Sequence, residues 1–240
     1  MIALALHGFT GRPGQWSGIA AGAVEPALSG HAPDVAVPTG WRFADEVDRV
    51  ARAARSLGEP VHLLGYSMGG RIALAVTACE PAVARLTLVG AHPGLEDEAA
   101  RAERRARDET WCALLEERGI EAFARAWEDQ PMWASQAALP AGLRERQRAD
   151  RMSHDPHQLA AALRALGLGA MPPLWGVLEG IRVPVELVAG ALDSTYRDLA
   201  HRMAARIPGA RVSFIDGAGH NPLIERPGAL ATQLSDRSEP

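Results

Sequence analysis

The chain has 240 residues with a formal net charge of −4, and 47% of them are hydrophobic and 22% charged. This composition predicts one large globular core and excludes disordered, fibrous and bilayer-spanning proteins, because no apolar run approaches about 18 residues. The charge gives no reason to expect nucleic acid or a membrane surface as a partner, and the complete absence of lysine excludes a lysine base or Schiff base.

The first predicted element is an apolar strand, Ile2–Leu6, which leads into the turn LHGFTG at residues 6–11. No basic segment or cleavage site precedes the strand, so we expect no signal peptide and a cytoplasmic location. A turn of this type can direct the backbone N–H of Phe9 at a reaction centre beside the strand. Phe9 is therefore a candidate oxyanion-hole donor, whereas we interpret His7 as structural.

Short apolar runs alternate with helical patterns over both ends of the chain. The pattern predicts two early helices, Phe43–Leu57 and Arg71–Cys79, which are followed by Gly58 and by Glu80-Pro81. Apolar strands that alternate with helices form a parallel, doubly wound sheet covered on both faces. After the first strand, the predicted strands are Asp34–Pro38, Val61–Leu64, Leu86–Val89, Val185–Ala189 and Val212–Ile215.

The strongest signal for chemistry is GYSMGG at residues 65–70, between a predicted strand and a predicted helix. A serine on so sharp a turn has strained dihedrals, and side chains two positions to either side would collide. Gly65 and Gly69 remove that collision, so Ser67 is the candidate nucleophile. Its hydroxyl would lie at a helix N-terminus, and the N–H of Met68 would be the second oxyanion donor.

Arg71 follows Ser67 by one helical turn and lies on the same helix face. A guanidinium buried in this helix needs an anionic partner. The partner could be a core carboxylate, which would make a structural ion pair, or a carboxylate on a substrate. The residues alone leave both interpretations open.

The alternation of strands and helices stops between about Glu96 and Leu178, where the sequence is helical and charged and includes Trp111, Trp127 and Trp133. We expect residues 1–95 and 179–240 to form an α/β core. Residues 96–178, the helical insertion, would form a lid over the crevice at the carboxyl ends of the strands.

Most arginines of the insertion are typical of a solvated helix face. Asp97–Arg101 and Glu103–Arg107 are predicted i,i+4 ion pairs. Arg104 could pair in the same way with Asp108, although in the weaker orientation, so its role stays open. Arg151 lies in a second arginine-rich helix, for which a solvated face is again the default interpretation.

Two residues after the last predicted strands complete the order serine, acid, histidine. Asp193 follows the strand Val185–Ala189, and His220 ends the sequence GAGH after the strand Val212–Ile215. The histidine would take the serine proton, and the aspartate would fix its tautomer. Asp193 could alternatively cap a helix, and Asp216 is the rival acid. Because Asp216 lies close to His220 in the chain, we prefer Asp193.

The segments that carry a family resemblance are spread over nearly the whole chain: LHGFTG (6–11), GYSMGGRIAL (65–74), HPGLED (92–97), AERRARDETW (102–111), FARAWEDQPMWASQ (123–136), LAAALRALGLGAMPPLW (159–175) and GAGHNP (217–222). In these segments the chain resembles the 2-succinyl-6-hydroxy-2,4-cyclohexadiene-1-carboxylate synthase (SHCHC synthase) family of menaquinone biosynthesis. The insertion carries the specific part, because other α/β-hydrolases share the serine turn but not the lid.

The resemblance implies an α/β-hydrolase fold and a lyase that eliminates pyruvate from 2-succinyl-5-enolpyruvyl-6-hydroxy-3-cyclohexene-1-carboxylate. The implied partner is this small tricarboxylate, with no cofactor and no metal. Arg105 could bind it in place of Arg104, and Arg148 could bind it in place of Arg151. By motif position, the implied substrate-binding residues are Tyr66, Arg71, Arg104, Trp127 and Arg151.

The main alternative is a serine hydrolase, either a carboxylesterase or a carbon–carbon bond hydrolase, which would form an acyl-serine. A non-catalytic ligand-binding protein would require a broken triad. Cys79 and Cys112 lack the spacing of a zinc site or a disulfide framework, and we expect both to be buried. We also expect a monomer or a weak homo-oligomer, and frayed residues at 235–240.

Overall fold

The predicted parallel sheet is confirmed in the computed structural model, which describes residues 1–235. Fraying was expected at residues 235–240; Ser235 is the last residue of a helix, and residues 236–240 lie outside the described residues. Five parallel strands follow one another across the sheet in chain order. They are β1 (Ile2–Leu6), β2 (Val61–Tyr66), β3 (Val83–Val89), β4 (Val185–Gly190) and β5 (Arg211–Ile215).

Helices cover both faces of the sheet. Alternate residues of β2 point to opposite faces: Leu63 belongs to the core formed with α1 and α2, whereas Leu64 packs in a second core with Trp16 and Leu230. The helices are α1 (Phe43–Ser56), α2 (Met68–Thr77), α3 (Glu98–Glu128), α4 (Ala141–Met152), α5 (Pro156–Leu166), α6 (Ser194–Ala204), α7 (Pro222–Glu225) and α8 (Pro227–Ser235), with 3₁₀ helices at Pro131–Ala138 and Trp175–Gly180.

The predicted strand Asp34–Pro38 is wrong. The backbone of this segment does not join the sheet, because Val35 N–H donates to the nearby Ala32 O and Val37 N–H donates to the side chain of Gln158, far along the chain. Pro38 has no N–H to offer to a ladder. The edge of β1 instead pairs with a single residue, Val24, in a parallel bridge.

Residues 96–178 contain α3, α4, α5, the first 3₁₀ helix and the start of the second, and no strand is formed in this described range. The helix α3 is kinked at Gly119, whose φ of 76° and ψ of 179° suit only glycine. The helices α3 and α5 are joined by Arg164, which pairs with Glu109 and Glu116. The function of this insertion as a lid stays a prediction.

Two smaller predictions are wrong. Asp97 does not pair with Arg101, because its carboxylate caps α3 by accepting from Ala100 N–H, and Arg101 pairs with Glu98. Cys79 is exposed after the end of α2, whereas Cys112 is buried as expected. Within residues 1–235, no helix has both the length and the apolarity to cross a bilayer.

Candidate active site

Ser67 lies on a sharp turn between β2 and α2. Its φ of 51° and ψ of −109° are strained for a residue other than glycine. A Cβ at Gly65 would lie 2.6 Å from Gly69 O, and one at Gly69 would lie 2.6 Å from Leu6 O. Both obstacles are backbone atoms that cannot move aside, so the turn requires glycine at these two positions.

The sheet brings Ser67, His220 and Asp193 together, as their positions after three strands predicted. His220 Nε2 lies 3.2 Å from Ser67 Oγ, and His220 Nδ1 lies 2.8 Å from Asp193 Oδ2. The imidazole is almost fully buried, and the Asp193 side chain is 14% exposed. In this geometry Nδ1–H donates to the carboxylate, which leaves Nε2 free to accept the serine proton.

Asp193 has both of the roles that the sequence left as alternatives. One oxygen contacts His220, and the other, Oδ1, accepts from Tyr196 N–H at 3.2 Å as the N-cap of α6. The rival acid, Asp216, is not hydrogen-bonded to His220 in the described part of the chain.

The two candidate oxyanion donors border the same cavity as Ser67. Met68 is the first residue of α2, so its N–H has no intrahelical acceptor. Phe9 lies in a turn closed by a 2.9 Å hydrogen bond from Gly11 N–H to Gly8 O. This cavity, which we call the serine chamber, has a volume of about 240 Å³ and is also lined by Arg71, Arg104 and Trp127.

Arg71 is 7% exposed and forms no ion pair with a carboxylate among residues 1–235. Its Nη1 lies 3.9 Å from the sulfur of Met171, and the nearby Asp108 is paired with Arg104. Burial lowers the pKa of Arg71 to about 10, so the guanidinium is still charged at neutral pH. Of the two partners that the sequence left open, no core carboxylate among these residues forms an ion pair with Arg71.

The side chains of Arg104 and Arg105 point to different parts of the molecule. Arg104 lines the serine chamber while its Nε donates to Asp108 at 2.8 Å. Arg105 instead contacts Glu98 and the carbonyl of Gly169, away from this chamber. The geometry therefore favours Arg104 over Arg105 as a group that faces Ser67.

A second cavity of about 460 Å³ lies on the other side of Phe9, and we call it the outer chamber. Tyr66 and Arg151 line it, and Tyr66 Oη and Arg151 Nε are buried without a hydrogen-bond partner among residues 1–235. Arg151 pairs with Glu128 at 2.9 Å, and Arg148 pairs with the other oxygen of Glu128. The predicted substrate-binding residues are thus divided between two chambers.

Several site residues were missed from the sequence. The Tyr196 ring lies 4.4 Å from the His220 ring and lines the serine chamber. His92 also lines it, and burial lowers the His92 pKa to about 4. Trp133 and Asn221 line the outer chamber, each with a buried polar atom that has no partner in the described chain. Of these, Asn221 had a sequence signal, because it follows His220 directly.

No group of three or more His, Cys, Asp or Glu side chains in residues 1–235 is arranged to hold a metal ion. The chemistry available here is that of the serine, the histidine and backbone donors beside arginines.

Comparison with known proteins places this chain in a family. Residues 3–233 match the model of the alpha/beta hydrolase family. The 2-succinyl-6-hydroxy-2,4-cyclohexadiene-1-carboxylate synthase of Salmonella paratyphi C is 34% identical over 96% of this chain and 90% of its own length. The chain belongs to the SHCHC synthase family.

Solved structures agree with this membership. MenH from S. aureus is 30% identical, covers 98% of this chain and 92% of its own, and superposes with a TM-score of 0.93. A thermophilic esterase from Thermogutta terrifontis superposes over 98% of this chain and 88% of its own, with a TM-score of 0.82 at 22% identity, and shares the fold. An SHCHC synthase family member therefore uses a scaffold that hydrolases also use.

Proposed function

We propose that the protein is a carbon–oxygen lyase that eliminates pyruvate from 2-succinyl-5-enolpyruvyl-6-hydroxy-3-cyclohexene-1-carboxylate and forms 2-succinyl-6-hydroxy-2,4-cyclohexadiene-1-carboxylate. The observation that carries the proposal is Arg71, a buried guanidinium in the serine chamber without a carboxylate partner in residues 1–235. A simple ester offers such a group no counter-charge, whereas a substrate carboxylate does. The Salmonella relative is named for the product, 2-succinyl-6-hydroxy-2,4-cyclohexadiene-1-carboxylate, which supports this particular reaction.

The proposed chemistry begins with removal of a ring proton. Ser67 Oγ takes this proton as its own passes to His220 Nε2, 3.2 Å away. The electron pair of the broken C–H bond at ring C2 forms the C2–C3 double bond, the C3–C4 π electrons shift to C4–C5, and the C5–O bond to the enolpyruvyl group breaks. The leaving enolpyruvate takes up a proton and becomes pyruvate, and no acyl-enzyme is formed.

The backbone N–H groups of Phe9 and Met68 would stabilise negative charge as it develops on a carboxylate or enolate oxygen. Such preorganised donors act in a dry site, where each is worth about 2.7–4 kcal/mol. Asp193 would stabilise the imidazolium that forms during proton transfer. The role of each group follows from its position around Ser67.

The two chambers on either side of Phe9 suit a substrate with several carboxylates. Arg71 and Arg104 would bind carboxylates in the serine chamber, with Trp127 in the wall. Arg151 and Tyr66 would bind another group in the outer chamber. The helical insertion, residues 96–178, supplies Arg104, Trp127 and Arg151, and we propose that it acts as the lid. We also expect a cytoplasmic location and a monomer or weak homo-oligomer.

The test is pyruvate release from the cyclohexene substrate by the wild type, Ser67→Ala and the exposed control Ser56→Ala. We expect acceleration over the spontaneous reaction, a loss of at least about 10³-fold in Ser67→Ala, and wild-type rates in the control. Turnover of short nitrophenyl esters with a trapped acyl-serine, and no acceleration of pyruvate release, would instead establish the serine hydrolase.

A further inference from the structure

One buried histidine of the helical insertion contacts the turn at residues 6–11, which we call the oxyanion turn. His154 lies between α4 and α5, is 6% exposed, and has its Nε2 3.2 Å from the carbonyl oxygen of Thr10. A carbonyl only accepts, so His154 Nε2–H is the donor. Burial also lowers the pKa of His154, which favours this neutral, singly donating form.

That hydrogen bond continues through two peptide groups to Phe9. Thr10 O and Gly11 N–H belong to one peptide, and Gly11 N–H donates to Gly8 O at 2.9 Å. Gly8 O and Phe9 N–H belong to the next. Because a trans peptide is planar and its C=O and N–H point in opposite directions, fixing each carbonyl fixes the N–H across from it. Two hydrogen bonds and two planar peptides therefore connect His154 to the N–H of Phe9.

The turn needs such a restraint, because Thr10 has a φ of 62°. A β-branched residue in this left-handed region is strained by about 1–3 kcal/mol and persists only when its surroundings hold it. His7 Nδ1 provides one hold by donating to Gly8 O at 2.8 Å, within the core. Arg12 provides another contact with the insertion, at 3.0 Å from Ser153 Oγ.

We infer that His154 is a positioning residue for the oxyanion hole, through which the helical insertion aligns the Phe9 N–H with the reacting oxygen. The inference rests on the proposed role of Phe9 as oxyanion donor. If His154 positions Phe9, the oxyanion hole stabilises the transition state fully only when the insertion is in place. The insertion then has a second role beside substrate binding.

The test compares two substitutions of His154. His154→Gln keeps an N–H donor at a similar reach, and His154→Leu removes it at similar volume. We expect His154→Leu to lower kcat for pyruvate release about tenfold with KM within about twofold, less than the 10²–10³-fold of losing a donor outright because His7 still holds Gly8. His154→Gln should stay within about threefold of the wild type. His157→Leu, the same change at an exposed position, is the control.

A second readout is the affinity for phenylboronic acid. Ser67 Oγ bonds to boron as its proton passes to His220, and a boron-bound oxygen then occupies the oxyanion hole. We expect His154→Leu to bind this probe about tenfold more weakly and His154→Gln to bind it nearly as well as the wild type. If the wild type releases no pyruvate, the lyase proposal fails, and the probe still decides the role of His154.

Three results would overturn the inference: equal losses in the glutamine and leucine variants, a change in KM alone, or no binding of the probe to the wild type. The melting temperature of each variant is measured alongside. If His154→Leu is recovered unfolded, His154→Phe replaces it as the variant that lacks the donor. A purely structural role would lower the melting temperature and leave the affinity of the folded fraction for phenylboronic acid unchanged.

Discussion

The Arg71 side chain is charged and buried, and it forms no ion pair with a carboxylate among residues 1–235. A buried charge usually has such a partner. A buried cation lacking a partner is costly, and replacing it by an apolar side chain of similar size is often neutral or stabilising. We therefore expect the fold to lose no stability when this arginine is replaced by an apolar side chain of similar size. A substrate carboxylate would supply the missing partner at the moment of binding.

Arg71→Met should separate binding from folding. We expect KM for the cyclohexene substrate to rise about 10- to 100-fold, because a hydrogen bond to a charged group is worth about 1.5–3 kcal/mol. The melting temperature should stay the same or rise, because an unpaired charge has been removed from the interior. Steady-state kinetics and thermal unfolding measure the two effects.

Arg164→Met is the matched control, because Arg164 is paired with Glu109 and Glu116 on the surface of the insertion. Its KM should equal that of the wild type, and its melting temperature should not rise, because the substitution removes ion pairs instead of an unpaired charge. A clear drop in the melting temperature of Arg71→Met would show that Arg71 has a structural partner after all.

The helix α6 begins on a residue that also orients His220. One oxygen of Asp193 caps the helix and the other holds the imidazole, so a single carboxylate connects the local start of a helix to the site. Position after a strand predicted the contact with His220, and position before Ser194-Thr195-Tyr196 predicted the cap. Both predictions followed from local sequence, and neither excluded the other.

The two roles of Asp193 are separable by substitution. Asp193→Asn keeps a side-chain oxygen for the cap, whereas Asp193→Ala removes it, so only the alanine variant should lose about 1 kcal/mol of unfolding free energy from the cap. Both should lose about 10³- to 10⁴-fold in kcat, because neither holds the imidazolium. Urea unfolding and pyruvate release check this. Equal stabilities of the two variants would contradict the capping role.

At the scale of the whole molecule, several buried histidines couple the fold to pH. Burial lowers the pKa of His7, His62 and His92 to about 4, from an ordinary 6.5. The unfolded chain therefore binds more protons than the folded one between these values. Their contribution to stability is complete above about pH 6.5 and is lost as pH falls toward 4.

His62→Gln tests this dependence in one strand, because glutamine can still reach Thr87, the partner of His62 at 2.8 Å, and does not titrate. Between pH 7 and pH 5 we expect the variant to lose about 1–2 kcal/mol less unfolding free energy than the wild type. Urea unfolding at both pH values measures the difference. His157→Gln, at an exposed position, should lose as much as the wild type.

The sequence predicts a feature of this molecule best when the residues that determine it lie close together in the chain. β1 was predicted to the residue, and the need for Gly65 follows from a collision within the serine turn, with Gly69 O, whereas the obstacle at Gly69 is Leu6 O at the end of β1. The segment Asp34–Pro38 failed because an apolar run alone does not show that its backbone is satisfied by Gln158, far along the chain. The division of the site by Phe9 into two chambers, and the contact of Tyr196 with His220, depend on packing between distant segments.

The place of the insertion in the sheet also has a consequence for folding. The first three strands, β1, β2 and β3, all lie before residue 90. Pairing of β3 with β4 brings Leu86 beside Val185 and closes a loop of roughly 100 residues. Closing so long a loop is slow relative to local pairing. Ser67 lies in the part of the chain before this loop, whereas Asp193 and His220 lie in the part after it. Recovery of pyruvate release during refolding would therefore report the last long-range pairing of the sheet.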